Sequence, residues 1–256
     1  MKIVNIYVVT YNNEANINEN IRRFLETTGR ARQVADLRYH IINNHTTFKL
    51  NPEYEGFVEV FHNWLRPNHS CGHLSRDYNM GLLHGFQNLN NPASNQVILL
   101  HDDSIWCDNW FEDLEEIHKT YTFYAGDWGD GLTSYLPEAV RKIGMWDERF
   151  CNIGYHEADY FLRAAIYNRD KSTINDAGAG RVLNKTKEIF YHAEPNHNKM
   201  ASHDHSAGFH GISYNMFLQK WAGFSPVNWN LNSLPSQPTS GNCLFYPYFE
   251  DAIENR

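Results

Sequence analysis

Apolar positions follow two alternating rhythms over the first hundred residues. Residues 2–10 form a β-branched run in which Val4, Ile6, Val8 and Val9 suit a strand buried on both faces. The rhythm then turns helical. Ile17, Ile21, Phe24 and Leu25 fall at i, i+4, i+7 and i+8 and form one stripe, with Asn16 as N-cap and Glu19 closing a capping box. Residues 39–43 and 58–62 read as the second and third strands. A helix over residues 74–86 follows, with Leu74, Tyr78, Leu82 and Phe86 on one face. Residues 97–100 read as a fourth strand, which runs into His101-Asp102-Asp103-Ser104. Strands alternating with helices predict a parallel sheet built by right-handed crossovers. Ligands of such sheets sit at the carboxyl ends of the strands, here residues 10–14, 43–46 and 101–104.

The second half is mixed. Residues 110–118 read as helix, 122–126 as a short strand, and 137–144 as two helical turns. Residues 157–168 form a helix, since Ala158, Phe161, Leu162, Ala165 and Ile166 share a face. Residues 188–191 read as a strand and 214–221 as an amphipathic helix. Past Gly223 the chain is rich in Pro, Asn and Ser and reads as an irregular tail. The expected organisation is a single domain of two halves, 1–110 and 111–223, followed by a tail over 224–256. No internal repeat is present.

Composition narrows the class. The 256 residues are 42% hydrophobic and 14% aromatic, enough for a real core and against wholesale disorder. A formal net charge of −8 argues against a nucleic-acid binder. An acidic chain that handles an anionic ligand needs a metal or a few well-placed Arg and Lys. Apolar runs are far short of the ~20 residues needed to span a bilayer, and the N-terminus lacks a signal-peptide pattern. Cys71, Cys107, Cys151 and Cys243 are widely spaced, without a CxxC pair. The expectation is a soluble, cytoplasmic protein with no membrane span.

Three groups carry candidate chemistry. Asp102 and Asp103 directly follow a buried apolar run, where two carboxylates repel and are costly to desolvate unless a cation joins them; an exposed acidic turn is the alternative. Glu157 and Asp159 begin a helix, where carboxylates are favoured by the N-terminal dipole. Asp159 reads as a cap at least as well as a functional group, whereas Glu157, after Gly154, projects from the helix tip and could serve as a general base. Among 14 histidines, His192 at a strand end is the plausible metal ligand. His197, His203, His205 and His210 read as exposed loop.

The order of these features resembles the inverting nucleotide-sugar glycosyltransferases of family 2, which have the GT-A fold: a Rossmann-like α/β domain with a mostly parallel central sheet and a mixed acceptor-side half. The resemblance covers roughly residues 3–223. Val9-Thr10-Tyr11-Asn12-Asn13-Glu14 is similar to the family's first-strand turn, and Ile41-Ile42-Asn43-Asn44-His45-Thr46 to its second-strand end. Ser75-Arg76-Asp77-Tyr78-Asn79-Met80-Gly81 resembles its "A-R-N-x-G" helix, and His101-Asp102-Asp103 stands where the family has its DxD metal site. Residues 143–150 look like "I-G-G-F-D-E-x-F", residues 157–163 like "E-D-V-D-L-x-x-R", and Lys220-Trp221-Ala222-Gly223 like the closing "K-W-G". His192 sits where a late metal- or diphosphate-contacting His occurs.

The resemblance implies that residues 1–110 bind a nucleotide sugar and 111–223 bind the acceptor and carry the catalytic residue. Tyr11 would stack on the donor's base, with Thr10, Asn12 and Asn43 shaping its pocket, and Asp102 would bind the ribose. Asp103 and His192 would hold Mn²⁺ or Mg²⁺ on the diphosphate, with Arg76 adding positive charge. Glu157 would deprotonate a hydroxyl acceptor, such as a glycan, for in-line attack, with Asp159 or Asp127 as alternatives. UDP is the favoured donor nucleotide. Asp127, Trp128 and Trp146 are the acceptor-side candidates. Three positions depart from the family pattern: Asn43 replaces an Asp, His101 the first carboxylate of the metal motif, and Glu157 an Asp. Two other readings compete: a non-haem Fe(II)/2-oxoglutarate oxygenase using His101, Asp103 and His192, and a sugar- or nucleotide-binding module without catalysis.

Overall fold

The computed structural model describes residues 1–11, 13–45, 48–63, 74–126, 131–150, 155–167, 190–192 and 207–221. Strand β1 (Lys2–Thr10) matches the expected apolar run and is buried from Val4 onward. It pairs in parallel with β2 (Ala35–Asn43), in a register from Lys2 opposite Ala35 to Thr10 opposite Asn43. On its other edge it pairs in parallel with β4 (Gln96–His101), from Val4 opposite Gln96 to Val9 opposite His101. The strand β3 (Val58–His62) extends the parallel run beyond β2. Beyond β4 the sheet turns antiparallel through β7 (Leu132–Tyr135) and β6 (Phe123–Ala125), giving the order β3-β2-β1-β4-β7-β6. The strand order therefore reverses between β1 and β4, which is where parallel sheets open a ligand crevice.

Side-chain alternation on β1 splits the core in two. Val4, Ile6 and Val8 face the stripe of α1 (Glu14–Thr27), made by Ile17, Ile21 and Phe24, together with Leu114 and Ile117 of α4 (Trp110–His118). Tyr7 and Val9 face Tyr78, Leu82 and Phe86 of α3 (Leu74–Phe86), Val140 and Ile143 of α5 (Pro137–Ile143), and Tyr160 and Phe161 of α6 (Tyr155–Tyr167). A third cluster joins Phe150 and Leu162 to Phe217 and Trp221, at the end of α7 (Ala207–Lys220). Among the described residues, no helix is long and apolar enough to cross a membrane.

Several boundaries differ from expectation. The first helix starts at Glu14, and Asn16 lies buried inside it rather than capping it. Its partner in the expected capping box, Glu19, instead pairs with Arg22. Asn16 and Asn20 share the inward stripe with Ile17, Ile21 and Phe24, so the apolar face is partly amide. A short helix, α2 (Ala31–Val34), precedes β2, which begins four residues earlier than expected. Two strands were too short to leave a periodic signal: β7, and β5 (Ser104–Trp106), which pairs antiparallel with β8 (Phe190–His192) outside the main sheet. The tail over 224–256 lies outside the described residues.

Close packing of α3 on the sheet needs two glycines. A Cβ on Gly81 would lie 2.8 Å from Leu99 Cδ2 and 3.1 Å from Tyr7 Cγ, and one on Gly85 only 2.5 Å from Val97 Cγ2. Leu99 can rotate its branch away, but Val97 is β-branched and stiff. Gly85→Ala is expected to cost about 1–3 kcal/mol in urea unfolding by overpacking. Gly29→Ala, with nothing within 4 Å of the new atom, should be neutral or stabilising by up to ~1 kcal/mol.

Candidate functional site

Parallel pairing brings the ends of β1, β2 and β4 to one edge of the sheet, where Thr10, Asn43 and Asp102 of the expected donor set lie. Thr10 Oγ1 donates to Asp102 Oδ2 at 2.6 Å, bridging the gap where the strand order reverses. Asn13 Nδ2 approaches the other oxygen of that carboxyl at 3.5 Å. Asp102 and Asp103 are each only 1% exposed, so the exposed acidic turn is ruled out. Burial pushes the Asp102 carboxyl up to about 7, against the hydrogen bond from Thr10, and the adjacent Asp103 charge adds to the rise. The His101 ring lies with Nδ1 3.9 Å from Asp103 Oδ1 and stacks on Tyr78.

Two backbone features converge on the acidic pair. Strand β8 sets His192 opposite Ser104, the residue after Asp103. The Gly131 carbonyl accepts from both Ser104 Oγ (2.7 Å) and the His101 amide (3.0 Å). Gly131 is thus bonded to the acidic strand end. Sequence reasoning missed Ser104 and Asn13, because nothing in their local pattern shows which distant strand end they will meet. The side chain of His192 and the whole of Asn12, Asp127 and Trp128 lie outside the described residues. Among the described residues, no group of three His, Cys, Asp or Glu is placed to hold a metal. Asp102 and Asp103 supply carboxyl oxygens, the donor type that Mn²⁺ or Mg²⁺ takes.

A layer of amides fixes the ends of β2 and β3. Asn43, fully buried, donates from Nδ2 to the His45 carbonyl (2.8 Å), lies 3.0 Å from His62 Nδ1, and accepts the His45 amide at Oδ1 (3.0 Å). Asn44 and Asn63 both donate to Asp77 of α3 (2.7 and 3.1 Å), and Asn63 also donates to Asn44 Oδ1. Tyr11 and His45 meet edge to face, with ring centroids 5.1 Å apart at 80°. Arg76 is exposed on the first turn of α3, next to Asp77.

In the second half of the chain, the structure separates Glu157 from its neighbours. Glu157 is half-buried in the first turn of α6, which begins two residues earlier than expected. Asp159 is fully buried and pairs with Lys220 (2.7 Å) and Arg163 (3.0 Å), while Trp221 Nε1 donates to it at 2.9 Å. That carboxylate is structural, which removes Asp159 as an alternative base. Lys220 also reaches Asp147 (2.8 Å), which Arg149 clasps as well. Burial opposes ionisation of Asp147, but the hydrogen bonds and charges of Arg149 and Lys220 outweigh it and hold its carboxyl down at about 2. Trp146 is a core residue rather than an acceptor platform: it is buried, stacked on Tyr160 at 4.2 Å, and donates to the Tyr135 hydroxyl. Asn79 clamps the same segment, accepting from the Trp146 amide and donating to the Trp146 carbonyl and to Glu148.

No protein-family model matches the chain, and no curated protein matches it in sequence. Solved structures do resemble it in shape. S. aureus TarS (residues 1–349) is 14% identical, over 77% of this chain and 61% of that one, with a TM-score of 0.49. The mannosyltransferase PcManGT from Pyrobaculum calidifontis, in complex with GDP-Man and Mn²⁺, is 10% identical over 65% of this chain and 61% of that one, with a TM-score of 0.41. A Drosophila β1,4-galactosyltransferase 7 bound to manganese, UDP-Gal and xylobiose is 11% identical over 78% and 74%, with a TM-score of 0.42. This chain spans about three fifths of the length of the first two.

Removing one partner of a buried ion pair leaves an uncompensated charge, so Lys220→Met is expected to cost about 3–5 kcal/mol in urea unfolding. The Asp147 carboxyl titrates lower in the folded chain than its ordinary value of about 3.9. Its contribution to stability is therefore complete above about pH 4 and is lost as the pH falls through about 2. Asp147→Asn should remove that part of the acid-unfolding slope.

Proposed function

We propose that the chain is a metal-dependent, inverting glycosyltransferase that moves a sugar from a nucleoside-diphosphate donor to a hydroxyl acceptor, such as a glycan. The observation that carries this reading is the buried Asp102–Asp103 pair, bonded to Thr10 across the switch point of a parallel sheet. Two carboxyls buried side by side at the switch point call for a cation and an anionic ligand. The parallel sheet also argues against the iron oxygenase, whose fold is an antiparallel double-sheet barrel.

Asp103 and His192 would hold Mn²⁺ or Mg²⁺, which when bound supplies positive charge to the leaving diphosphate. Thr10 and Asp102 orient the ribose, while Tyr11 and Asn12 border the base. Arg76, exposed beside the strand-end layer, adds a second positive charge for the diphosphate. Asp127 and Trp128, in the segment between Gly126 and Gly131, would face the acceptor. Glu157 takes the proton from the acceptor hydroxyl as its oxygen attacks the anomeric carbon. The sugar–phosphate bond breaks on the opposite side, so the anomeric configuration inverts.

A thermal-shift panel tests the reading. A nucleoside diphosphate at 100 times its dissociation constant should add about 2.7 kcal/mol of stability, and should do so only with Mn²⁺ present. Stabilisation by 2-oxoglutarate with Fe²⁺ alone would favour the oxygenase. Glu157→Gln should lower turnover by about 10²–10⁴-fold with donor binding unchanged, as for loss of a general base. Unchanged turnover in a glycosyl-transfer assay removes Glu157 from that role, and loss of donor binding makes it part of the donor pocket.

A further inference from the structure

We propose that His40 and Glu59 form an acid-closed latch on strand β3, held shut by one proton shared between the two side chains and released when that proton leaves. The latch stands on its own geometry, whether or not the chain transfers a sugar.

His40 on β2 and Glu59 on β3 are direct cross-strand partners, with His40 Nδ1 2.9 Å from Glu59 Oε2. The other ring nitrogen, Nε2, lies 3.1 Å from Asn5 Oδ1 on β1. Which atom of Asn5 faces the ring is fixed, because its Nδ2 donates to the Gly85 carbonyl at 3.2 Å and a carbonyl can only accept. Asn5 Oδ1 is therefore the acceptor, and His40 Nε2 carries a hydrogen. A neutral ring in that tautomer would set the lone pair of Nδ1 against a carboxylate oxygen at 2.9 Å. The bridge exists only while a second proton lies between Nδ1 and Oε2, whichever atom holds it.

Exposure decides which end of the bridge moves. The His40 side chain is 6% exposed and that of Glu59 57%, so the carboxylate can turn into water while the ring cannot. Tyr7 of β1 stacks on the His40 ring, with centroids 4.6 Å apart at 14°, and its hydroxyl lies 2.6 Å from His84 Nδ1 on α3. Burial keeps that hydroxyl protonated, so Tyr7 brings no charge to the ring. The groups that do are Glu59, His84 when protonated, and Arg38 of β2, itself paired with Asp36 at 2.9 Å. Burial pushes the His40 imidazole below the usual histidine range; the Glu59 carboxylate pulls against that, and His84 and Arg38 add to the fall. The latch therefore opens on the acid side of an ordinary histidine titration. The proton passes to water, the ring stays on Asn5 through Nε2–H, and Glu59 leaves Nδ1. Further along the same strand end, His62 lies 3.0 Å from Asn43 Nδ2, and Asn63 donates to Asn44 and Asp77, so the state of β3 reaches the amide layer at the end of β2.

Nitrogen-15 NMR of the full chain, titrated from acid to neutral pH, reads each ring nitrogen separately. His40 Nε2 should stay protonated throughout, whereas Nδ1 should lose its proton in one step below about pH 6.5, the ordinary histidine value. In Glu59→Gln the amide can donate to Nδ1 without a second proton. The step should then fall by about 1–3 pH units, the effect of losing an opposite charge in contact. Glu59 is exposed, so this variant leaves the core intact. The Asn63 side-chain amide signals should follow the step in the parent chain and lose that component in Glu59→Gln. An unprotonated Nε2 at neutral pH overturns the latch, as does an Nδ1 step that Glu59→Gln does not move. Asn63 signals indifferent to the step would show a bridge that moves no strand, and overturn it as well.

Discussion

Parallel pairing of β1 along both edges is the constraint on which the rest of the structure depends. A strand bonded on both sides and covered on both faces can expose only its ends, so every polar group brought to the carboxyl edge must find a partner there. Thr10 meets Asp102, and Asn43 turns back on His45. Since the strand order reverses beside β1, these partners lie at the switch point, where parallel sheets take their ligands. The candidate site is a consequence of where the sheet's polar edge falls.

Around that edge, much of what looks like chemistry in the sequence is scaffolding. Asn79 clamps the segment around Trp146, Asp77 gathers Asn44 and Asn63, and Lys220 ties Asp147 to Asp159. These residues lie in the same short motifs as the functional candidates, which is why motif matching cannot separate the two groups. Burial and partner geometry do so: Asp159 is enclosed by three donors, whereas Glu157, two positions earlier, keeps part of its surface in solvent. The ion network also links α6 to α7, so the placement of Glu157 depends on contacts over sixty residues away in sequence.

The longer elements were legible. β1, β3, α3 and α4 lie where their periodicity places them, because each buries a continuous face that must repeat at 2 or 3.6 residues. The start of α1 is not legible locally, because Asn16 fits a cap by its neighbours yet faces the core beside Asn20, whose side chain accepts from Tyr39 and Trp106. β5 and β7 were missed because three or four residues cannot establish a period, and both exist through pairing with distant strands.

By itself the sequence determined the alternation of strands and helices, the buried central strand and the identity of the carboxyl-end residues, because these depend on local spacing and on the cost of exposing apolar surface. Only the tertiary structure decided that Asp102 answers to Thr10, that Asp159 belongs to Lys220, that Trp146 is core, and that Asn43 faces inward. Each of those outcomes depends on which distant group arrives within hydrogen-bond range, and the register of strand pairing and the approach of packed helices set that distance, whatever the neighbouring residues along the chain.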